Sequence, residues 1–243
     1  MSKILVKDKE IVVPGDEIAE GMDFFPGFGT YREKEHIFAS RLGIANVDGK
    51  VMKIIPLSGR YIPKSNDVII GKVEEVAYFG WRININSAYP AMLNPKDATS
   101  DFIERGADLT RYFNIGDYLV AKIVNVTTQK LVDLTTKGPG LRKVSGGRII
   151  EVNTHKVPRI IGKQGSMVGM IKQATNTRII VGQNGLVWID GEPKSVVVAV
   201  NSLKKIEEEA HIPGLTERIR EYLEKETGTK IDMNLLTKEK EQS

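Results

Sequence analysis

The sequence contains no cysteine. That excludes a disulfide framework, a thiolate nucleophile and any cysteine-ligated zinc. Histidine is nearly as scarce: His36, His155 and His211 lie far apart, and none stands in a metal-ligand spacing such as HxxxH. Long apolar runs are missing as well. The longest, such as Val196–Val200, falls well short of the roughly 20 residues that a membrane-spanning helix needs. Met1–Glu10 alternates charge with small apolar groups and has no continuous hydrophobic stretch of the export type. With zero cysteine, these absences point to a cytoplasmic location. There is no phosphate-binding GxxxxGK[ST] run, and Gly27-Phe28-Gly29 lacks the third glycine of a dinucleotide loop.

What is present is an ordinary globular composition. Of 243 residues, 41% are hydrophobic and 27% charged, with a net charge of only +4. That length accommodates one large domain or two to three small ones. The charge is uneven. Residues 1–64 carry net +1, 65–140 net −1, 141–211 net +5 and 212–243 net −1. Within the third segment, Arg142, Lys143, Arg148, Lys156, Arg159, Lys163, Lys172 and Arg178 face only Glu151, net +7 in 37 residues. Such an excess attracts phosphates over about a Debye length, although a charge run alone is more often a solvated face, and it is the sequence inside the run that favours a ligand.

The fold class expected is multidomain, mainly β, with an α+β C-terminal domain. Residues 1–64 are rich in β-branched residues and glycine and read as a small antiparallel sheet. Within them Asp48-Gly49 joins two strand-like runs as a hairpin. Residues 65–140 also read as all-β. Trp81, Ile83 and Ile85 alternate with Arg82, Asn84 and Asn86, which places Trp81 in a core. Five short strands are predicted, with a helical insertion before the fourth that includes Phe102–Arg105. That pattern fits a small Greek-key barrel of the OB type. Residues 141–230 switch to a β-α-α-β-β-α rhythm followed by an extra amphipathic helix over Leu215–Glu226. Residues 231–243 read as a charged tail.

The motif that carries chemistry is Ile160-Ile161-Gly162-Lys163-Gln164-Gly165. It joins two short predicted helices by a turn whose first and last residues are glycine. Without a Cβ, each lets the main chain approach a sugar-phosphate backbone, and the second helix presents its first N–H groups to the same anions. This is the GxxG clamp of a KH domain, which grips about four nucleotides of a single strand. The expected clamp residues are Arg159, Gly162, Lys163, Gln164, Gly165 and Ser166. Gly182-Gln183-Asn184-Gly185 also matches GxxG, and is read as an ordinary hairpin turn. His155, beside the clamp helices, is read as a surface or capping group. Asp97, Asp101 and Asp108 are spaced too loosely for a metal cluster and read as a solvated loop.

Taken together, these blocks resemble the RNA-binding cap subunit of the archaeal exosome, over roughly residues 8–225. Val13-Pro14-Gly15-Asp16 and Pro56–Pro63 are similar to signatures of its first domain, and Gly71-Lys72-Val73 with Phe79-Gly80 to the opening of an S1-type OB barrel. The sister cap subunit carries a cysteine-based zinc ribbon, which this chain cannot build. The resemblance implies a non-catalytic subunit with no cofactor and no metal. Three copies, alone or mixed with the zinc-ribbon cap, would sit on a hexameric ring of RNase-PH-like subunits. The first domain would dock on the ring, and single-stranded RNA would be fed inward for 3′-to-5′ phosphorolysis. It also implies an RNA-binding barrel face at Phe79, Arg82, Asn94 and Lys130. There Arg82 stands where the family often has a second aromatic, and Asn94 where it often has histidine. The alternative is a stand-alone S1-and-KH regulator of transcription or RNA processing.

Overall fold

The computed structural model describes residues 2–101, 103–104, 106–228 and 230. It divides into two compact units at Gly59/Arg60.

The first unit contains β1 (Lys3–Ile4), β2 (Ile11–Val12), β3 (Glu17–Glu20), β4 (Phe25–Pro26), β5 (Thr30–Glu33), β6 (His36–Ala39), β7 (Gly43–Asp48) and β8 (Val51–Pro56). They form two four-stranded sheets, β1-β3-β6-β5 and β2-β7-β8-β4. Val12, Ile18, Ala19, Ile37, Ala39, Ala45, Met52 and Ile54 from both sheets share one core. The Asp48-Gly49 hairpin is present, with Asp48 opposite Val51. The expectation of a single antiparallel sheet is corrected in two respects. There are two sheets, and β4 runs parallel to β8. Strands of two residues, such as β2 and β4, carry no readable alternation, so their sheet membership comes from backbone pairing alone.

In the second unit, β9 (Val68–Ala77), β10 (Gly80–Asn84), β11 (Ala91–Leu93), β12 (Tyr118–Val126) and β13 (Val132–Thr135) close on themselves. The order is β13-β11-β10-β9-β12, and β12 pairs back to β13. Side chains alternate between the faces, interrupted by a register shift in each of β9 and β12, so that Ile69, Val73, Trp81, Ile83, Leu93, Leu119, Ile123 and Leu134 fill the interior. Trp81 is fully buried; its indole N–H donates to the Phe113 carbonyl at 2.8 Å and its ring meets Phe113 edge-on at 5.3 Å. A helical insertion precedes β12, formed by α1 (Pro95–Ala98) and a 3-10 turn over Leu109–Arg111. The predicted Phe102–Arg105 helix rests on Phe102 and Arg105, which lie outside the described residues.

Strand β14 (Arg142–Val144) pairs with the first half of β12. It therefore extends the barrel sheet, whereas the sequence places it at the head of the C-terminal block. Likewise Tyr61, assigned by sequence to the first block, packs in the barrel core and donates to Asp67 at 2.5 Å. Burial and that carboxylate raise the phenol's pKa far above its usual value.

The α+β part follows with β15 (Arg148–Glu151), α2 (Val157–Ile161), α3 (Ser166–Thr175), β16 (Arg178–Val181), β17 (Leu186–Asp190), α4 (Pro193–Glu209) and α5 (Leu215–Thr227). The sheet is antiparallel in the order β15-β17-β16. One face of α3 (Met167, Met170, Ile171), one of α4 (Ala199, Leu203, Ile206) and one of α5 (Leu215, Ile219, Leu223) join a common core. Their three-to-four spacing is the pattern expected of helices with one buried face. The tail at 231–243 lies outside the described residues.

Candidate nucleic-acid interface

Helix α2 stops because Gly162 adopts φ 75°, ψ 173°, a conformation that side chains resist. A Cβ there would stand 2.7 Å from both the backbone nitrogen and the Cβ of Met167. Lys163, Gln164 and Gly165 make a single 3-10 turn, with Gln164 at φ 53°, ψ 26° and Gly165 at φ 78°, ψ 14°. Gly165 then caps α3 without any side-chain hydrogen bond. The cap residue thus offers no side-chain acceptor to the first N–H groups of a ten-residue helix, where the helix dipole favours an anion. Buried Val157 and Ile160 on one side, and Met167 and Met170 on the other, hold the bend from beneath, while Lys163 and Gln164 are exposed. The structure brings all six expected clamp residues, Arg159, Gly162, Lys163, Gln164, Gly165 and Ser166, to this one bend.

The basic excess is narrower in space than in sequence. Lys143 pairs with Asp117 at 2.5 Å and Arg178 with Asp190 at 2.6 Å. Lys156 donates to the Glu207 carbonyl at 2.7 Å, near the end of α4. Arg159 and Lys163 are exposed, and among the described residues neither makes an ion pair. Arg142 and Arg148 are likewise exposed with no ion pair among the described residues, so the cations available to a ligand include the pair beside the glycine bend without being confined to it.

On the barrel, Tyr78 and Phe79 form the two-residue tip between β9 and β10, where Ala77 pairs with Gly80. They are 79% and 64% exposed, so neither contributes to the core. Arg82 lies on the outer face opposite Glu75 and Met92, with its guanidinium 3.7 Å from the Glu75 carboxylate. Asn94 follows Leu93, which pairs with Trp81, so it falls beside Gly80 at the same end as Phe79. Phe79, Arg82 and Asn94 thus lie towards the same end of the barrel. Lys130 does not join them. It sits in the β12–β13 turn with φ 65°, beyond the opposite end of β13, whose Leu134 is the residue level with Leu93. At about 3.3 Å per residue, that is roughly 10–16 Å along the strand direction.

The second glycine pair does more than turn the chain. The expectation of an ordinary hairpin turn at Gly182–Gly185 omits that Asn184 is fully buried against the barrel. Its Oδ1 accepts from the Ile70 N–H at 3.2 Å, and its Nδ2 donates to the carbonyls of Ile70 at 2.7 Å and Ile85 at 2.9 Å. Asn86 answers from the barrel by donating to Glu151 and to the Asn184 carbonyl. A Cβ on Gly182 would lie 2.8 Å from the Ile70 nitrogen, so glycine is what permits the approach. Beside this contact Ile70, Val120, Val144 and Trp188 share a small buried cluster. The barrel and the glycine bend are therefore held in one body. Sequence reading missed Asn184, since a buried asparagine in a glycine turn looks identical to a solvated one.

His155 is half-buried; its backbone N–H is capped by Asn153 at 2.9 Å, and its Nε2 is enclosed without a hydrogen-bond partner among the described residues. Asp108 caps the 3-10 turn by accepting from Thr110. Among the described residues no three His, Asp or Glu side chains converge as a metal site would require, and no helix is long and apolar enough to cross a membrane.

A closed five-stranded barrel sharing a core with a β-α-α-β-β-α module defines a protein of the OB-barrel-and-KH class. Comparison with known proteins narrows this. Residues 147–195 match the KH domain family, and residues 9–58 match the N-terminal domain of the exosome RNA binding protein RRP4. The chain is 41% identical over 221 residues to the exosome complex component Rrp4 of Methanothermus fervidus, covering 90% of this chain and 97% of that protein. It is 43% identical over 224 residues to the same component of Thermoplasma acidophilum, covering 91% and 93%. A crystal structure assigned as an exosome complex RNA-binding protein superposes with a TM-score of 0.62 at 34% identity, covering 69% of this chain and 97% of that one. The chain belongs to the Rrp4 family of exosome components.

Proposed function

We propose that this chain is a non-catalytic, RNA-binding cap of a cytoplasmic exosome. It holds single-stranded RNA and directs it into a ring of RNase-PH-like subunits that degrade it phosphorolytically from the 3′ end. Three copies occupy one face of the ring, alone or mixed with the zinc-ribbon cap, and the first unit is the part that docks. The observation that carries RNA binding is the bend at Gly162–Gly165, with φ 75° and 78° at its two glycines and Arg159 and Lys163 exposed beside it. Main-chain amides there can grip successive phosphates, and the two cations supply the attraction. Phe79, Arg82 and Asn94 offer a second contact: an aromatic to stack on a base, a guanidinium for stacking or phosphate, and an amide for base edges. Lys130 contributes only to a strand that crosses to the far end of β13.

The reading is tested by incubating the purified chain with labelled RNA, phosphate and Mg²⁺, alone and with the ring subunits. Alone, it should bind the RNA without shortening it; with the ring, it should co-elute and increase the rate of phosphorolysis. Shortening by the chain alone, or co-elution with RNA polymerase in place of the ring, overturns the proposal.

A further inference from the structure

Beside the glycine bend lies a pocket of about 470 Å³ that the clamp alone does not explain. One wall is the clamp itself: Arg159, Gly162, Lys163 and Ser166. The other is the connection between α4 and α5, with His211, Pro213, Gly214 and Thr216. That connection is braced. Arg218 donates through Nε to Glu209 at 2.8 Å and through Nη1 to the Pro213 carbonyl, and Ile212 N–H donates to Glu209 O at 2.9 Å. Buried Leu215 anchors the start of α5 in the common core. The wall is thus fixed before any ligand arrives, which lowers the ordering cost of binding.

The lining is chemically mixed. Arg159 and Lys163 supply positive charge, Ser166 and Thr216 supply hydroxyls, and Pro158, Ile212 and Pro213 supply apolar surface. Glu217 alone is acidic, and it lies in the first turn of α5. A pocket of this size exceeds what a lone phosphate fills, and its mixture suits a phosphate with its sugar and base. We infer that the pocket receives one further nucleotide of the RNA strand, with its phosphate held between Lys163 and Thr216, so that the α4–α5 connection extends the strand path beyond the clamp. This rests on the RNA-clamp reading above.

The two are separated by measuring the full chain against RNA four-mers and eight-mers at one salt concentration. Thr216→Asp places a carboxylate on the far wall, at a helix position where an acidic residue is compatible with folding. It should weaken eight-mer binding on the order of tenfold and leave four-mer binding unchanged. Glu217→Gln removes the one opposing charge and should tighten the eight-mer. Lys163→Asp should weaken both lengths. If neither the Thr216 nor the Glu217 variant alters eight-mer binding while Lys163→Asp still weakens both lengths, the added subsite is wrong and the clamp stands. If Lys163→Asp changes neither length, the clamp reading fails and the subsite with it. A thermal melt of each variant separates lost binding from lost folding.

Discussion

Asn184 hydrogen-bonds both backbone groups of Ile70, accepting from its N–H at 3.2 Å and donating to its carbonyl at 2.7 Å. It thereby acts as a strand residue for β9 from a turn that belongs to a different sheet. Replacing it with alanine leaves these groups, and the Ile85 carbonyl, buried without partners. Each such group costs on the order of 1–3 kcal/mol, so Asn184→Ala should lower stability by about 2–4 kcal/mol in denaturant titration. RNA four-mers should bind as before at temperatures where the variant is folded, because the glycine bend has its own core.

At the bend, Lys163→Asp combined with Gln164→Asp should weaken RNA binding with little change in melting temperature, since both side chains are exposed. Gly162→Ala should act differently. Its Cβ would collide with Met167 at a φ of 75°, so it should cost about 1–3 kcal/mol of stability in addition to RNA affinity. A melting temperature unchanged by Gly162→Ala would contradict the steric need for glycine at the end of α2.

The barrel tip separates stacking from packing. Phe79→Ala and Tyr78→Ala should each change stability by less than about 0.5 kcal/mol. A stacked base lost with either ring should cost about 1–3 kcal/mol of RNA affinity. Trp81→Ala, two residues along, should instead destabilise the barrel by about 3–5 kcal/mol. It removes a buried ring and leaves the Phe113 carbonyl without its donor. Equilibrium unfolding paired with RNA titration tells these outcomes apart.

In the first unit, the hydrogen bond between His36 and Glu17 raises the histidine pKa above its ordinary 6.5. The folded form therefore binds the proton more tightly than the unfolded chain. The resulting stabilisation is complete below pH 6.5 and is lost as pH rises through the folded pKa. His36→Gln should flatten the melting temperature of that unit across this range. Asp117 has the opposite sign. Burial alone would raise its pKa, but Lys143 and the Asn114 N–H outweigh it and hold it below the usual carboxylate value. Its contribution is present at neutral pH and disappears in acid.

Much of this molecule is legible in its residue order. The alternation of Trp81, Ile83 and Ile85 against Arg82 and Asn84 assigns the barrel's inner face, because a strand's side chains repeat every second residue. Ser166–Thr175 is a helix with Met167, Met170 and Ile171 inward for the corresponding three-to-four reason. The glycines of the bend sit at positive φ, where only the absent Cβ makes the turn cheap. These are local properties, set within a few residues. Tertiary structure alone decided the rest. It paired β4 parallel to β8, moved Arg142–Val144 onto the barrel, neutralised Lys143 and Arg178 with distant carboxylates, and separated Lys130 from Phe79. It also buried Asn184 against a strand 114 residues away. The physical reason is common to all of them: a hydrogen bond or ion pair between remote segments depends on which surfaces meet, and no local periodicity encodes that.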